Sequence, residues 1–503
     1  MSEGNSYKQM LRSSSIIGGA SVFNILFSLL RTKVAAVVLG PAGIGLIGLL
    51  SNLMATAAAV AAVGSSVVGT RQIASANAAN DDVTLATSRR ALFWGTMALA
   101  ALGSSVFWLL RDVLATRLLD DASLSESVGW LALGVALSVA AGSQSALLNG
   151  MRRIGDLART SVLSALLATS VGVPVLLQWR EQGLLAYLLI TPISTFLVGY
   201  WYTSRLPQIG HAPFVWNDLR REWSALARLG VPVMFAGLVV LVGQLSVRTI
   251  VQHERGLEAL GHFEAAWVVS MTYAGFVLRA MGTDFYPRLT ALINDPAAAN
   301  RLVNEQSETA LLLAAPVLLA MLGLAPWVIP LLYSNQFAET SAILRWQIMG
   351  DIFKVACFPL GYILLAAGEG KTFLLSDAIS MSVFVLAVWV GIPIFGLPAT
   401  GVAFLLMYMV NLSIVFWLAH KRSAFRWDAI VWKILLGLLV SATVISLVGA
   451  MLPIGGAILG ILMSSAFALI ALILISNKTT TSESVGIAGV AHRFAAHFDR
   501  KRG

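Results

Sequence analysis

Apolar runs of about twenty residues or more recur from one end of the chain to the other, separated by short stretches that carry Lys, Arg, Asp, Pro or Gly. A bilayer core of about 30 Å is crossed by roughly 20 apolar residues in helical conformation. On run length and polar interruption, spans fall near 13–39, 43–70, 91–111, 128–149, 158–178, 184–204, 226–251, 260–285, 308–332, 343–367, 373–395, 399–419, 430–451 and 454–476. The pattern predicts an all-α polytopic membrane protein with about fourteen transmembrane helices.

Composition agrees. Of 503 residues, 57% are hydrophobic and 12% charged, about half the charge of a soluble domain, and too few residues remain outside the spans for a large soluble domain. The first run is longer than a signal-peptide core and leads into further membrane sequence, so it reads as an uncleaved first helix. The one cysteine, Cys357, lies within an apolar run, which excludes disulfides and thiolate metal clusters and leaves it a small buried hydrophobe.

The net charge of +9 has a topological use. Alternate loops and the two tails hold 24 of the 34 basic residues, whereas the opposite loops hold Arg111, Arg117, Arg180, Arg248, Arg255 and Arg345. This bias predicts that both termini are cytoplasmic. No basic block is interleaved with aromatics, so nucleic acid is not an expected partner. The polar stretch around 207–225, with Trp216, Leu219, Arg220, Arg221 and Trp223, suits a helix on the cytoplasmic face. It divides the chain into a six-helix lobe (1–206), the linker (207–225), a second six-helix lobe (226–422), two additional helices (423–476) and a basic cytoplasmic tail (477–503). Arg31-Thr32 with Gly45 is echoed by Arg248-Thr249 with Gly261, as expected if helix 7 repeats helix 1.

Several enzyme motifs fail on context. Gly43, Gly45 and Gly48 satisfy G-x-G-x-x-G, but a membrane span precedes them and the next acid is Asp81, so they read as a turn and close helix packing. Gly368-Glu369-Gly370-Lys371-Thr372 lacks the first glycine of a P-loop. The histidines show no metal-ligand spacing. No cofactor and no catalytic activity are expected.

Charge inside the spans is more informative, because an ionised side chain at the bilayer centre costs at least ~2.5–3.5 kcal/mol and normally faces a wet cavity or a partner. Lys354 lies near the middle of span 10, with Asp351 three residues before it on the same helical face. Arg31 and Lys33 lie in span 1 and Arg279 in span 8. The acids Glu264, Asp284 and Asp377 lie near span ends, where snorkelling is expected. Deep cations therefore exceed deep acids, and a net-positive cavity suits an anionic cargo. Asn24, Asn52, Gln144, Asn149 and Gln244, all within spans, are candidates to hydrogen-bond a polar cargo, with helix packing as the alternative role.

Three segments carry a resemblance. They are Leu39-Gly40-Pro41-Ala42-Gly43-Ile44-Gly45-Leu46 after Lys33, Phe285-Tyr286-Pro287-Arg288-Leu289, and Ser334-Asn335-Gln336-Phe337 followed by Trp346-Gln347-Ile348-Met349-Gly350-Asp351-Ile352-Phe353-Lys354 and Gly361-Tyr362. Over roughly residues 10–422 the chain resembles the Wzx flippases of O-antigen and enterobacterial common antigen, within the multidrug/oligosaccharidyl-lipid/polysaccharide exporter superfamily; spans 13 and 14 are a departure from the common-antigen members. The resemblance implies two six-helix lobes in a V that open alternately. It implies as cargo an undecaprenyl-diphosphate-linked oligosaccharide, moved from the cytoplasmic to the periplasmic leaflet of the bacterial inner membrane. Membrane lipids, a polysaccharide polymerase and a chain-length regulator are the partners it suggests. Lys354, Lys33 and Arg31, then Arg279, are the expected contacts to the diphosphate, with Asp351 orienting Lys354, and the five amides are the candidates to hydrogen-bond the sugar hydroxyls. The rival readings are a lipid II flippase, a multidrug exporter, which would want an acid in helix 1 where this chain has Arg31 and Lys33, and a membrane scaffold for a polymerase.

Overall fold

The computed structural model describes residues 3–207 and 216–480, and among these the regular elements are all helical. They are α1 (Glu3–Ala62), α2 (Ser65–Ala78), α3 (Asp82–Leu109), α4 (Ser125–Gly150), α5 (Ile154–Trp179), α6 (Leu184–Thr203), α7 (Trp216–Leu292), α8 (Pro296–Leu332), α9 (Thr340–Ala366), α10 (Gly370–Phe395), α11 (Ala399–Ser423), α12 (Ala429–Met451) and α13 (Pro453–Thr480), with short helical turns between some of them.

Eleven stretches of the described residues are long and apolar enough to cross a membrane, and three of them are too long to cross once. The 45 residues of Gly18–Ala62 would extend about 68 Å at 1.5 Å per residue, more than twice the bilayer core. The chain breaks at Gly40 (φ 66, ψ −169), a conformation that a side chain would oppose. Pro41 then starts the next helix, where its missing N–H costs nothing. Likewise α7 breaks at Gly256 (φ 80, ψ 178), and Ile154–Thr203 at the 3₁₀ turn Arg180–Gly183. Dividing these three stretches yields the fourteen spans expected from run length.

The described residues up to Glu264, with Leu332–Gln336, form one compact unit; Ala265–Leu331 and the described residues from Phe337 onward form another. The boundary falls at Glu264, within span 8, so 226–251 packs in the first unit. Trp216 opens α7, which runs unbroken to Gly256; 216–225 is therefore the start of the span 7 helix and not a separate surface helix. Its Trp223 Nε1 donates to the Ala91 carbonyl at 2.9 Å. Residues 208–215 of the linker, and the tail from 481, lie outside the described residues.

Within the first unit, α7 up to Gly256 lies against the second half of α1. Gly230 meets Gly64 at one end, and Asn52 Nδ2 donates to Gln244 Oε1 (3.4 Å) further along. Just past the two breaks, Gly45 and Gly261 pack backbone to backbone. A Cβ on Gly261 would fall 1.9 Å from the Pro41 carbonyl oxygen, and one on Gly45 2.3 Å from that of Leu257. The two glycines noticed as a sequence echo are thus the two sides of one helix crossing.

The second unit has an aromatic centre, with Trp267 stacked on Phe384 (5.9 Å) and edge-on to Phe404 (5.6 Å). Its last two helices are fastened at several levels. Asn304 receives the Asp428 N–H (2.8 Å) and donates to the Arg426 carbonyl (3.0 Å), while Asn300 donates to the Ser423 carbonyl (2.9 Å). Arg345 donates to the Gly449 carbonyl (2.9 Å), near the end of α12. Gly323 of α8 crosses α13 closely: a Cβ on Gly323 would fall 2.6 Å from the Gly456 carbonyl oxygen and one on Gly460 2.8 Å from the Gly323 Cα, while one on Gly456 would fall 2.5 Å from the Cα of Gly449 in α12. Ser464 donates to the Pro316 carbonyl (2.7 Å). Outward-facing Leu436, Val440, Leu447, Ile458, Leu462 and Leu469 are exposed, as a lipid-facing surface requires.

Candidate functional site

The first unit contains a cavity of about 560 Å³, formed by α1 on both sides of its break, α4 and α6. Its lining is rich in hydroxyls: Ser28, Thr32, Ser51, Ser138, Ser145, Thr191 and Thr195. Ile47, Met54 and Leu188 supply apolar surface, and Arg31 is the one ionised side chain in the lining among the described residues. Arg31 Nη2 donates to Thr191 Oγ1 at 2.8 Å, and its guanidinium lies over the Tyr187 ring, 5.0 Å from the centroid. Nε is buried without a hydrogen bond. Stacking on an aromatic face leaves the planar fork of an arginine oriented for an anion.

The structure does not bring Arg31 and Lys33 to one place. Two residues apart on a helix, they point to different sides, and Lys33 does not line the cavity. The amides expected to meet sugar are also dispersed. Asn24 donates to Ser161 Oγ (2.7 Å), Asn52 is paired with Gln244, and Gln144 packs against Gly199, where a Cβ would collide with Oε1. Asn149 is exposed. The Oδ1 atoms of Asn24 and Asn52 and Oε1 of Gln144 are buried without a hydrogen bond.

In the second unit, Asp351 and Lys354 form the centre of a polar cluster on α9. Asp351 is fully buried. Its Oδ2 accepts from Ser270 Oγ (2.6 Å) and Tyr273 OH (2.5 Å), and its Oδ1 lies 3.7 Å from Lys354 Nζ. At that distance the ammonium is attracted without a short hydrogen bond; the two hydroxyls from α7 fix the carboxylate. Lys354 Nζ also faces Met271 Sδ (3.3 Å) and the Tyr408 ring (5.6 Å to its centroid), and the side chain keeps 14% exposure. Asn411 links Ser380 (3.0 Å) to Asp377 (3.5 Å). The side chain of Arg279 lies outside the described residues. Among those described, no group of acids, histidines or cysteine is arranged to hold a metal.

One charged pair was read wrongly from sequence. Arg248, assigned to an outer loop, and Glu264, assigned to a snorkelling span end, are both buried and joined in a two-point ion pair, with Nη2 3.2 Å from Oε2 and Nε 2.5 Å from Oε1. Arg248 Nη1 also donates to the Gln244 carbonyl (3.1 Å). The turn at Gly256 folds the two halves of α7 together and brings residues sixteen apart into contact. The Arg-Thr echo of span 1 was the available signal, since it placed Arg248 within a span. Asp284, by contrast, is exposed and pairs with Arg288 (3.1 Å), as a span-end acid should.

Fourteen spans with ionised and polar groups held inside them define a polytopic membrane protein, and comparisons with known proteins specify it further. The chain belongs to the family described as "Polysaccharide biosynthesis protein", whose model matches residues 34–342. It is 24% identical over 430 residues to the lipid III flippase of Escherichia coli (strain K12), covering 82% of this chain and all of the relative, and equally to the Shigella flexneri protein of that name. In fold it is similar to the lipid II flippase MurJ in an inward closed conformation (TM-score 0.70, 14% identity, 90% of this chain and 98% of the other). It is also similar to an inward-facing multidrug resistance MATE family transporter of the MOP superfamily (TM-score 0.65, 13% identity, 82% and 98%). The names of these relatives are those of flippases and transporters, not of catalysts.

Proposed function

We propose that this protein flips an undecaprenyl-diphosphate-linked oligosaccharide from the cytoplasmic to the periplasmic leaflet of a bacterial inner membrane, with both termini cytoplasmic, by alternating access between two lobes. The observation that carries the reading is that cations stand inside apolar spans next to open polar space. Arg31 forms part of the wall of a hydroxyl-lined cavity, and Lys354 retains partial exposure beside a buried Asp351. A diphosphate is the anionic part of such a lipid, and an arginine fork or a lysine ammonium is the group that holds it. Arg31, Lys33, Arg279 and Lys354 are the residues assigned to it, and Asp351, 3.7 Å from Lys354 Nζ, positions that lysine. The amides Asn24, Asn52, Gln144 and Gln244 act mainly in helix packing. A multidrug exporter of organic cations fits less well, because no carboxylate lines the cavity among the described residues.

The test is transport. In cells or proteoliposomes, Lys354→Ala and the double variant Arg31→Ala/Lys33→Ala are expected to lower arrival of lipid-linked glycan in the far leaflet at least tenfold at normal protein level. Undiminished arrival in both variants refutes the diphosphate assignment. Drug resistance conferred on cells, without glycan movement, instead favours the exporter.

A further inference from the structure

Serine and threonine hydroxyls in membrane helices usually bond back to a carbonyl one turn earlier. This chain follows the rule at Thr70, Ser164, Ser246, Ser307, Ser380 and Ser413. Four serines in the cavity of the first unit depart from it, whereas Thr195 of the same lining bonds back to the Thr191 carbonyl (2.9 Å). Ser28, Ser51, Ser138 and Ser145 line the space, and none makes a hydrogen bond among the described residues. They come from α1, on both sides of its break, and from α4, and converge on one volume within the range of small-ligand sites, about 300–1,000 Å³. One guanidinium faces the same space, held by Thr191 and the Tyr187 ring.

We infer that this cavity is a saccharide subsite that takes the first sugar of the lipid-linked glycan, the one bonded to the diphosphate, with Arg31 on the adjoining phosphate and the four serines on the ring hydroxyls. The inference rests on the flippase reading above and adds to it a place for the sugar within the first unit. Its logic is a match of functional groups. A hexopyranose presents a hydroxyl at most ring positions and an apolar C–H face between them. The serines can both donate and accept, and Ile47 and Met54 offer apolar surface in the same wall. Among the described residues no carboxylate lines the space, and the guanidinium there disfavours a cationic ligand and suits a glycosyl phosphate. A site built to bond hydroxyls discriminates strongly against a ligand that lacks them, so the cavity is a selectivity element for sugar-bearing over bare lipid.

The experiment compares two probes, undecaprenyl diphosphate and undecaprenyl-diphospho-N-acetylglucosamine, binding to the purified full-length protein in lipid nanodiscs, measured by native mass spectrometry. Wild type is expected to bind the sugar-bearing lipid roughly tenfold or more tightly, as a few hydrogen bonds allow. The triple variant Ser51→Ala/Ser138→Ala/Ser145→Ala is expected to bring the two affinities within about twofold. Arg31→Ala weakens both lipids. The single serine variants, each lowering the preference in part, keep the test readable if the triple variant does not fold. Equal affinities in wild type, or a preference that survives in the serine variants, overturns the subsite and leaves the flippase reading standing. Failure of wild type to bind either lipid overturns both.

Discussion

Glu264→Gln is a direct test of the buried pair in α7. Both partners are nearly inaccessible, with side-chain exposures of 6% for Arg248 and 5% for Glu264, so neutralising the acid takes the ion-pair partner from a guanidinium in the protein interior while its bond to the Gln244 carbonyl is kept. Removing one member of a buried pair costs about 3–5 kcal/mol. The retained carbonyl bond puts the expected loss near the lower figure, roughly a hundredfold in the unfolding equilibrium. Replacing both partners by apolar residues, Arg248→Met/Glu264→Leu, removes the stranded charge and should restore stability to within about 1 kcal/mol of wild type or better. The cycle of wild type, two single variants and the double variant is read by reversible unfolding in mixed detergent micelles, followed by tryptophan fluorescence. If Glu264→Gln unfolds within 1 kcal/mol of wild type, or if the double variant loses the sum of the single losses, the two groups are not coupled and the reasoning fails.

Two further predictions concern packing. Gly261→Ala places a methyl group against the Pro41 carbonyl and should destabilise the protein by about 1–3 kcal/mol, the usual cost of overpacking, seen as a lower thermal midpoint; an unchanged midpoint means that the crossing is loose. Asn304→Ala removes the acceptor for the Asp428 N–H and the donor to the Arg426 carbonyl. It should cost about 1–3 kcal/mol and raise hydrogen exchange at residues 424–428, and exchange equal to wild type refutes the role given to this knot.

The fourteen spans were legible because twenty apolar residues in succession have few solutions other than a membrane helix, and the breaks at Gly40 and Gly256 fall in the gaps, 40–42 and 252–259, that run length and polar interruption leave between spans. The Asp351–Lys354 pair followed from helical spacing alone. Arg248–Glu264 did not, because the contact depends on how tightly the chain reverses at Gly256, which distance along the sequence does not encode. Ser28, Ser51, Ser138 and Ser145 were passed over for a different reason. A serine in an apolar run looks the same whether it bonds to its own helix or faces a cavity, and the difference arises when α1, α4 and α6 converge. The amides stood out in the sequence as rarer polar groups, yet Asn24, Asn52 and Gln144 are mostly absorbed in helix contacts.

The glycine crossing of α8 with α13, the arginine on the end of α12 and the asparagine knot below them together make the last two spans part of the second unit's frame. Their outer faces are apolar and exposed along their length, so the bilayer presses on this frame over a wider perimeter than a six-helix bundle would offer. A bilayer whose thickness does not match these two helices exerts its tilt or compression on α8 and α9 through the same three fastenings, and α9 carries Asp351 and Lys354. The added helices thereby give the lipid a lever on the charged cluster.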